Sequence, residues 1–467
     1  MKVQLRNNSY LTGTIAAILT IVLLAVFCYY VNFPLVIPLL LLLLGTYLFY
    51  FKKAKLRFFL QLGLLLAILM TGTFFLATYS TVPALYIPVA TVAILTMLLY
   101  NDLQLAFLMA FLSSAIAGLL AGRSFDLMLI FFCGGLVGAF AVKDARTRGR
   151  LISAGLFIGL TQVLCVILLN SQMEPIFTRY FAAHYLRPLV VNGFIAAFLV
   201  LATSKIFEIW FGVMTNFSLL ELSDFNHPLL KRMILEAPGT YHHSLIVSNL
   251  TEAAADAIGV NALLARVGAY YHDIGKLVKA DYFTENQFLG DNKHDQIEPS
   301  ISKLVILNHV KEGVELGRKY KLNQIILDFI PQHHGTGLLY YFYQKALEEA
   351  KEGEEVREEN FRYPGPKPQT KEAAVLMLAD SVEGAVRALD EHTPSKIDEV
   401  VRKIINNKFI DGQLDECDLT LRDLERISTT FTRILNAMYH SRVKYPEKKN
   451  GIGKTPKTGL PPQTPSS

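Results

Sequence analysis

The stretch AYYHDIGKL, Ala269–Leu277, places a histidine, an aspartate and a lysine within five consecutive residues. It belongs to the longer run NALLARVGAYYHDIGKLV, whose apolar residues recur at helical spacing, so the polar cluster rides on an amphipathic helix. Burying unpaired polar groups beside such a face is costly. A bound metal removes that cost, because neutral imidazole and carboxylate are ligands for borderline divalent ions.

Working outward, the same helical spacing returns in SKLVILNHVKEGVELGRKY, NQIILDFIPQHHG, KEAAVLMLADSVEGAVRAL, KIDEVVRKIINNKF and TLRDLERISTTFTRILNAMYHSRV. Few runs alternate as strands do. Residues 213–443 therefore read as an all-helical soluble domain. Two stretches look poorly ordered: the acidic and then Pro-rich EEAKEGEEVREENFRYPGPKPQT, expected as an exposed excursion, and the tail 444–467, which lacks apolar residues.

Upstream the character changes. The chain of 467 residues is 52% hydrophobic and only 18% charged, and the apolar excess is concentrated between Leu11 and Phe211. Eight spanning segments follow from it: Tyr10 to Val31, Pro34 to Phe51, Phe58 to Tyr79, Tyr86 to Tyr100, Leu103 to Ala121, Leu127 to Val142, Leu151 to Asn170 and Leu186 to Trp210. The first is long enough to span and has no cleavage site after it, so it reads as an anchor (residues 1–33) rather than a leader, ahead of a seven-helix domain at 34–212. Lys2, Arg6, FKKAKLR and KDARTRGR share one side when eight helices cross, which places both the N-terminus and the soluble domain on the cytoplasmic side of an inner (cytoplasmic) membrane.

Other functions are disfavoured on the same basis. Ionisable residues are nearly missing from the middles of the spans, which argues against a transporter. A net charge of +5, in short clusters rather than one continuous face, argues against polymeric nucleic acid as a partner. Cys28, Cys133 and Cys165 lie in apolar runs and Cys417 stands alone, so neither a disulfide framework nor a CxxC zinc site is expected.

Position matters more than number among the eleven histidines. His243, His272, Asp273, His309, His333, His334 and Asp380 form the order H, HD, H, HH, D across the helical domain. This pattern resembles the HD phosphohydrolase superfamily. Five histidines and two aspartates exceed what a single ion can take, so two divalent transition-metal ions are implied, Mn or Fe foremost. Further motifs, SLLELSDFNHPLLKRMILEAPGTYHHS, QHHGTGLL, FRYPGPKPQTKEAAVLMLADSVEGAVR and DGQLDECDLTLRDL, resemble the seven-transmembrane HD phosphodiesterases of the PgpH type, which degrade cyclic di-AMP in bacteria.

The resemblance implies one ion on His243, His272, Asp273 and Asp380, and a second that shares Asp273 and takes His309, His333 and His334. His243 is preferred to His242, which is then expected one layer behind the ligands. Two close ions would make bound water a nucleophile near neutral pH, and Lys276, four residues after His272, would neutralise a phosphate oxygen of cyclic di-AMP on the way to linear pApA. His294 is open between a place beside the substrate and a loop role, while Tyr270, Tyr271, His227, His392 and His440 read as packing residues. A homo-oligomer stays open.

Departures shape the alternatives. Family members carry a large extracellular domain after the first helix, whereas here only VNFPLVIP separates the first two spans, which puts a sensing role resting on that domain in doubt. HHGTGLLYYFY lacks the GYP element of the related class that takes cyclic di-GMP. A nucleotide-binding receptor, or a hydrolase of another nucleotide such as (p)ppGpp, shares the same ligand set.

Overall fold

The computed structural model describes residues 36–52, 56–169, 178–287, 293–350 and 355–439. The first expected span, Tyr10 to Val31, and the expected tail lie outside these residues. The other seven spans are helical: α1 (Val36–Thr46), continued by a π-helical turn at Tyr47–Phe51, then α2 (Leu56–Tyr79), α3 (Ala90–Tyr100), α4 (Leu103–Leu120), α5 (Phe125–Val142), α6 (Arg148–Leu169) and α7 (Arg187–Phe211). Among the described residues five helices are long and apolar enough to cross a membrane, and Val36–Tyr50 and Ala84–Tyr100 are shorter apolar helices. The chain is a multi-pass membrane protein.

Local chemistry explains the irregular places. The short α3 follows a 3-10 turn at Ala84–Tyr86, where Pro83 and Pro88 withhold backbone donors. Asn192 of α7 compensates by donating to the carbonyls of Leu85 and Ile87, at 2.9 and 2.6 Å, because a lipid environment offers no water to do so. Asn101 ends α3 in the left-handed region and Asp102 caps α4 through the Leu105 amide, so two residues reverse the chain. Where α6 crosses α7, a Cβ on Gly193 would lie 2.1 Å from the Gly155 carbonyl oxygen; the two backbones touch and only glycine fits.

Basic residues gather at one end of this bundle. Lys52 pairs with Asp102 at 2.7 Å, Arg57 donates to the Phe211 carbonyl at 3.3 Å, and Arg148 reaches Glu221 of the soluble domain at 3.0 Å. The two basic connections therefore share an end with the soluble domain, as their charge required.

That domain is built from α8 (Asn216–Leu222), α9 (Pro228–Glu236), α10 (Pro238–Ala257), α11 (Ala262–Tyr271), a 3-10 segment (Ile274–Tyr282), α12 (Pro299–Lys319), α13 (Gln324–Leu327), α14 (Phe329–Gln332), α15 (Tyr340–Glu349), α16 (Lys371–Arg387), α17 (Pro394–Ile410) and α18 (Leu421–Met438). Among the described residues no strand forms, and one isolated bridge joins Leu338 to Arg362. The fold is all-α. Val247 of α10, Val375 and Leu378 of α16, Val401 of α17 and Phe431 of α18 are buried together, each burial contributing about 1.5–3 kcal/mol. A second cluster around Tyr271, Ile274 and Ile330 fixes α11 against its neighbours.

The junction with the membrane is bonded, not loose. Glu208, buried near the end of α7, accepts from the Thr215 amide at 2.9 Å, from the Thr215 hydroxyl, and from Ser218 at 2.6 Å. Beyond α8, the Tyr271 hydroxyl donates to the Leu222 carbonyl at 2.7 Å.

Candidate metal centre

Five helical elements deliver the seven expected residues to one point. His243 comes from α10, His272 and Asp273 from the end of α11, His309 from α12, His333 and His334 from just beyond α14, and Asp380 from α16. Asp273 stands between two groups. Its Oδ2 lies 3.2 Å from His272 Nε2 and 3.6 Å from His243 Nε2, while its Oδ1 lies 3.4 Å from His309 Nε2 and 3.6 Å from His333 Nε2. Asp380 is also divided, with Oδ1 3.1 Å from His243 Nε2 and Oδ2 3.9 Å from His334 Nδ1. Two groups with ligand atoms within 4.8 Å of one another result: His243, His272 and Asp273, and Asp273, His309, His333 and His334.

The backbone is arranged for this approach. A Cβ on Gly275 would lie 1.8 Å from the His309 carbonyl oxygen, so the glycine lets the segment after Asp273 lie directly on α12.

The outward ring nitrogens are engaged. Nδ1 of His272 meets the Ala269 carbonyl at 2.7 Å, His333 the Ile330 carbonyl at 2.5 Å, and His309 the Ile306 carbonyl. His243 Nδ1 meets Glu383 Oε2 at 2.8 Å. Donation from Nδ1 aims each Nε2 inward, where the neutral ring offers a lone pair to an ion. The buried Nε2 atoms of His243, His272, His309 and His333, with Asp273 Oδ1, have no hydrogen-bond partner. Each such atom costs about 1–3 kcal/mol when left alone, and cations at the centre satisfy them together. The residues fit a metal cluster.

Electrostatics divides the two groups. Burial, helped by neighbouring imidazoles, pushes His333 down to about 3 and also lowers His334. Burial likewise lowers His309. Burial opposes charge on His272 as well, but Asp273 and Asp380 outweigh it and push it up to about 10. Burial works against the Asp273 carboxylate too, yet His272 and Lys276 hold it well below the usual carboxylate range.

Lys276 differs from expectation. The α-helix ends at Tyr271 and continues as a 3-10 segment, so spacing by four no longer defines a shared face. Its Nζ bonds Asp273 Oδ2 at 2.8 Å and Glu285 Oε1 at 2.7 Å instead of projecting freely. His242 is exposed beside Gly239, Thr284, Glu285 and Arg387, and the layer behind the ligands is formed by Glu383. The excursion expected to be exposed is corrected in part: half of residues 355–370 are exposed, but Phe361, Tyr363 and Pro368 are buried, and the Tyr363 ring stacks on His334 at 4.2 Å. A Pro-rich segment held by such contacts does not need a helix to be ordered.

The remaining aromatic residues pack as expected. Tyr270 and Tyr271 are buried, His227 meets Tyr271 edge-on, and His392 stacks on Tyr439 at 4.0 Å. His294 is buried against Phe342, with Nε2 at 2.7 Å from the Tyr282 carbonyl. His440 lies outside the described residues. Cys133, Cys165 and Cys417 carry free thiols. Glu383, Glu285 and Tyr363 were missed because acids and tyrosines in ordinary helical or Pro-rich context carry no spacing signal of their own. Only the placement of Glu383 three residues after Asp380, on one helical face, was there to be found.

Two family descriptions cover this architecture: "7TM receptor with intracellular HD hydrolase" matches residues 32–215, and "HD domain" matches residues 240–385. The two matched segments, in this order, resemble the two parts of seven-transmembrane HD proteins. Among the chain's relatives is the cyclic-di-AMP phosphodiesterase PgpH of Bacillus subtilis (strain 168), 38% identical over 423 residues, which are 87% of this chain and 59% of the relative. PgpH of Listeria monocytogenes serotype 1/2a (strain 10403S) is 42% identical over 326 residues, 69% of this chain and 44% of that one. The chain thus spans 59% and 44% of the lengths of these two relatives. A crystal structure of the L. monocytogenes PgpH HD domain in complex with cyclic-di-AMP is 50% identical, covers 46% of this chain and 100% of its own, and aligns with a TM-score of 0.45.

Proposed function

We propose that the chain is a metal-dependent phosphodiesterase that hydrolyses cyclic di-AMP to linear pApA at the cytoplasmic face of the inner membrane. The observation that carries this reading is the division of Asp273, one oxygen facing His243 and His272 and the other facing His309 and His333. A carboxylate shared in this way suits two ions, with His243, His272, Asp273 and Asp380 as ligands of one and Asp273, His309, His333 and His334 as ligands of the other. The imidazoles suit Fe and the two carboxylates suit Mn. The names of the two PgpH relatives supply the substrate.

When bound, a pair of divalent ions supplies an activated water and neutralises phosphate oxygens. The chain's own residues prepare the place for both. Backbone carbonyls and Glu383 fix the imidazole tautomers. An ammonium has three donors; two of those of Lys276 hold Asp273 and Glu285, and the third is left for a phosphate oxygen. Tyr363 walls the more open side beside His334.

The test is incubation of the purified full-length chain with cyclic di-AMP and Mn2+ or Fe2+, with pApA as the expected product. No turnover with either metal, or cleavage of cyclic di-GMP in its place, refutes the assignment. Tight binding without product makes the chain a receptor. For the topology, Arg146→Cys and Arg123→Cys should react with an impermeant maleimide from opposite sides, Arg146→Cys from the cytoplasmic one; the reverse pattern refutes it.

A further inference from the structure

The mouth of the centre is at His334 and Asp380, whose side chains keep 23% and 15% exposure while His272 and His333 keep none. Close to this mouth, on the last turn of α17, stands Lys408; its Nζ is 3.5 Å from where a Cβ on Gly337 would be, within the turn that follows His334. The approach is built rather than accidental. Gln413 accepts from the Thr336 amide at 2.9 Å, Arg362 donates to the Thr336 carbonyl at 2.9 Å, and Arg362 pairs with Asp411 at 2.9 Å, so the end of α17 is fastened to the 334–337 turn.

Other cations around the centre are matched. Lys276 pairs with Asp273 and Glu285, Arg362 with Glu358 and Asp411, Lys367 with Asp415, and Arg387 with Glu383. Lys408 has neither a hydrogen-bonded acceptor nor an ion pair among the described residues. Burial holds its ammonium below the ordinary lysine range, with Asp380 and Asp411 acting in the opposite sense and Arg362 adding to the lowering. Keeping an unpaired cation partly desolvated is unfavourable, and an anionic ligand reverses the balance.

We propose that Lys408 forms a phosphate subsite at the mouth of the centre, which takes the second phosphodiester of a cyclic dinucleotide, the one not being cleaved. The inference rests on the function proposed above. The charge of the scissile phosphate would be met by the ions that the His and Asp ligands hold and by Lys276. A cyclic dinucleotide carries a further monoanionic diester across its ring, and one lysine matches that charge.

The full-length protein with Mn2+ tests this by comparing cyclic di-AMP with bis(p-nitrophenyl) phosphate, which has one diester only. In Lys408→Ala the ratio of kcat/KM for the cyclic dinucleotide to that for the single diester falls about tenfold, the size of one charge-assisted hydrogen bond, and the loss is in KM for cyclic di-AMP. Lys408→Arg restores most of the ratio. Lys408→Met keeps the aliphatic stem and replaces the alanine variant should that one not fold. An unchanged ratio, or equal loss on both substrates, overturns the subsite while leaving the proposed function standing. Absence of cyclic di-AMP turnover by the unsubstituted chain overturns both.

Discussion

Replacing Glu383 by glutamine keeps the side chain's shape and removes its charge from behind His243. Glu383 is fully buried, and its Oε2 accepts the His243 Nδ1 proton at 2.8 Å. A glutamine carbonyl still accepts that proton, so the ring keeps its orientation. What is lost is the charged part of the bond, the difference between about 1.5–3 kcal/mol for a charged partner and about 0.5–1.5 kcal/mol for a neutral one. About 1–1.5 kcal/mol corresponds to about a tenfold weakening of the ion held by His243. Alanine also frees the ring, and the loss approaches a hundredfold. Arg387, exposed to 45%, loses its acid partner but regains water. The other ion is spared, because His309 and His333 take their Nδ1 contacts from carbonyls of their own elements. Calorimetric titration of the chelator-treated full-length chain with Mn2+, paired with metal analysis, resolves the two steps. Equal weakening of both ions, or of neither, refutes the division of the centre and the role given to Glu383.

Three other outcomes follow from the same geometry. Asp273→Ala removes the carboxylate that both groups share, so metal content drops to none; two ions per chain in that variant contradict the bridging role. Proton linkage separates the groups: His272 in the metal-free protein keeps its proton up to about 10, so an ion there must displace it and binds more tightly as pH rises, whereas His333, lowered to about 3, is already neutral across the neutral range. Titrations near pH 6 and near pH 8, in buffers of different ionisation enthalpy, should show proton release for one ion and little for the other, and equal release for both overturns the assignment. Gly275→Ala drives a methyl into the His309 carbonyl, 1.8 Å away before relaxation. That overpacking should remove about 1–3 kcal/mol of stability and weaken metal binding with it, and a wild-type melting temperature contradicts the close approach.

Much of this was legible because two periodicities dominate the chain. Apolar runs of spanning length give α1 to α7 directly, and helical spacing gives the soluble helices, with His272 and Asp273 marking where one of them ends. Ligands were legible as residue types in an order. Their partners were not, since Glu383, Glu285 and Tyr363 gain meaning only when distant segments meet. The Pro-rich arm shows the limit most clearly: composition predicts no long helix in residues 355–370, but their placement comes from Tyr363 lying on His334 and Arg362 bonding Asp411, contacts that join residues up to 49 positions apart. Lys276 shows a subtler one, because a change from α to 3-10 geometry moves a side chain around the axis without any change in sequence pattern.

The buried Glu208 fixes how the soluble half is joined to the membrane half. Its carboxylate is fastened to Thr215 and Ser218, and Tyr271, next to His272, is fastened to the far end of the same short helix. A domain joined through a slack tether would tumble independently of its anchor. Here hydrogen bonds join α7 to α8 and α8 to α11, so no slack segment separates the last membrane helix from the residue beside His272.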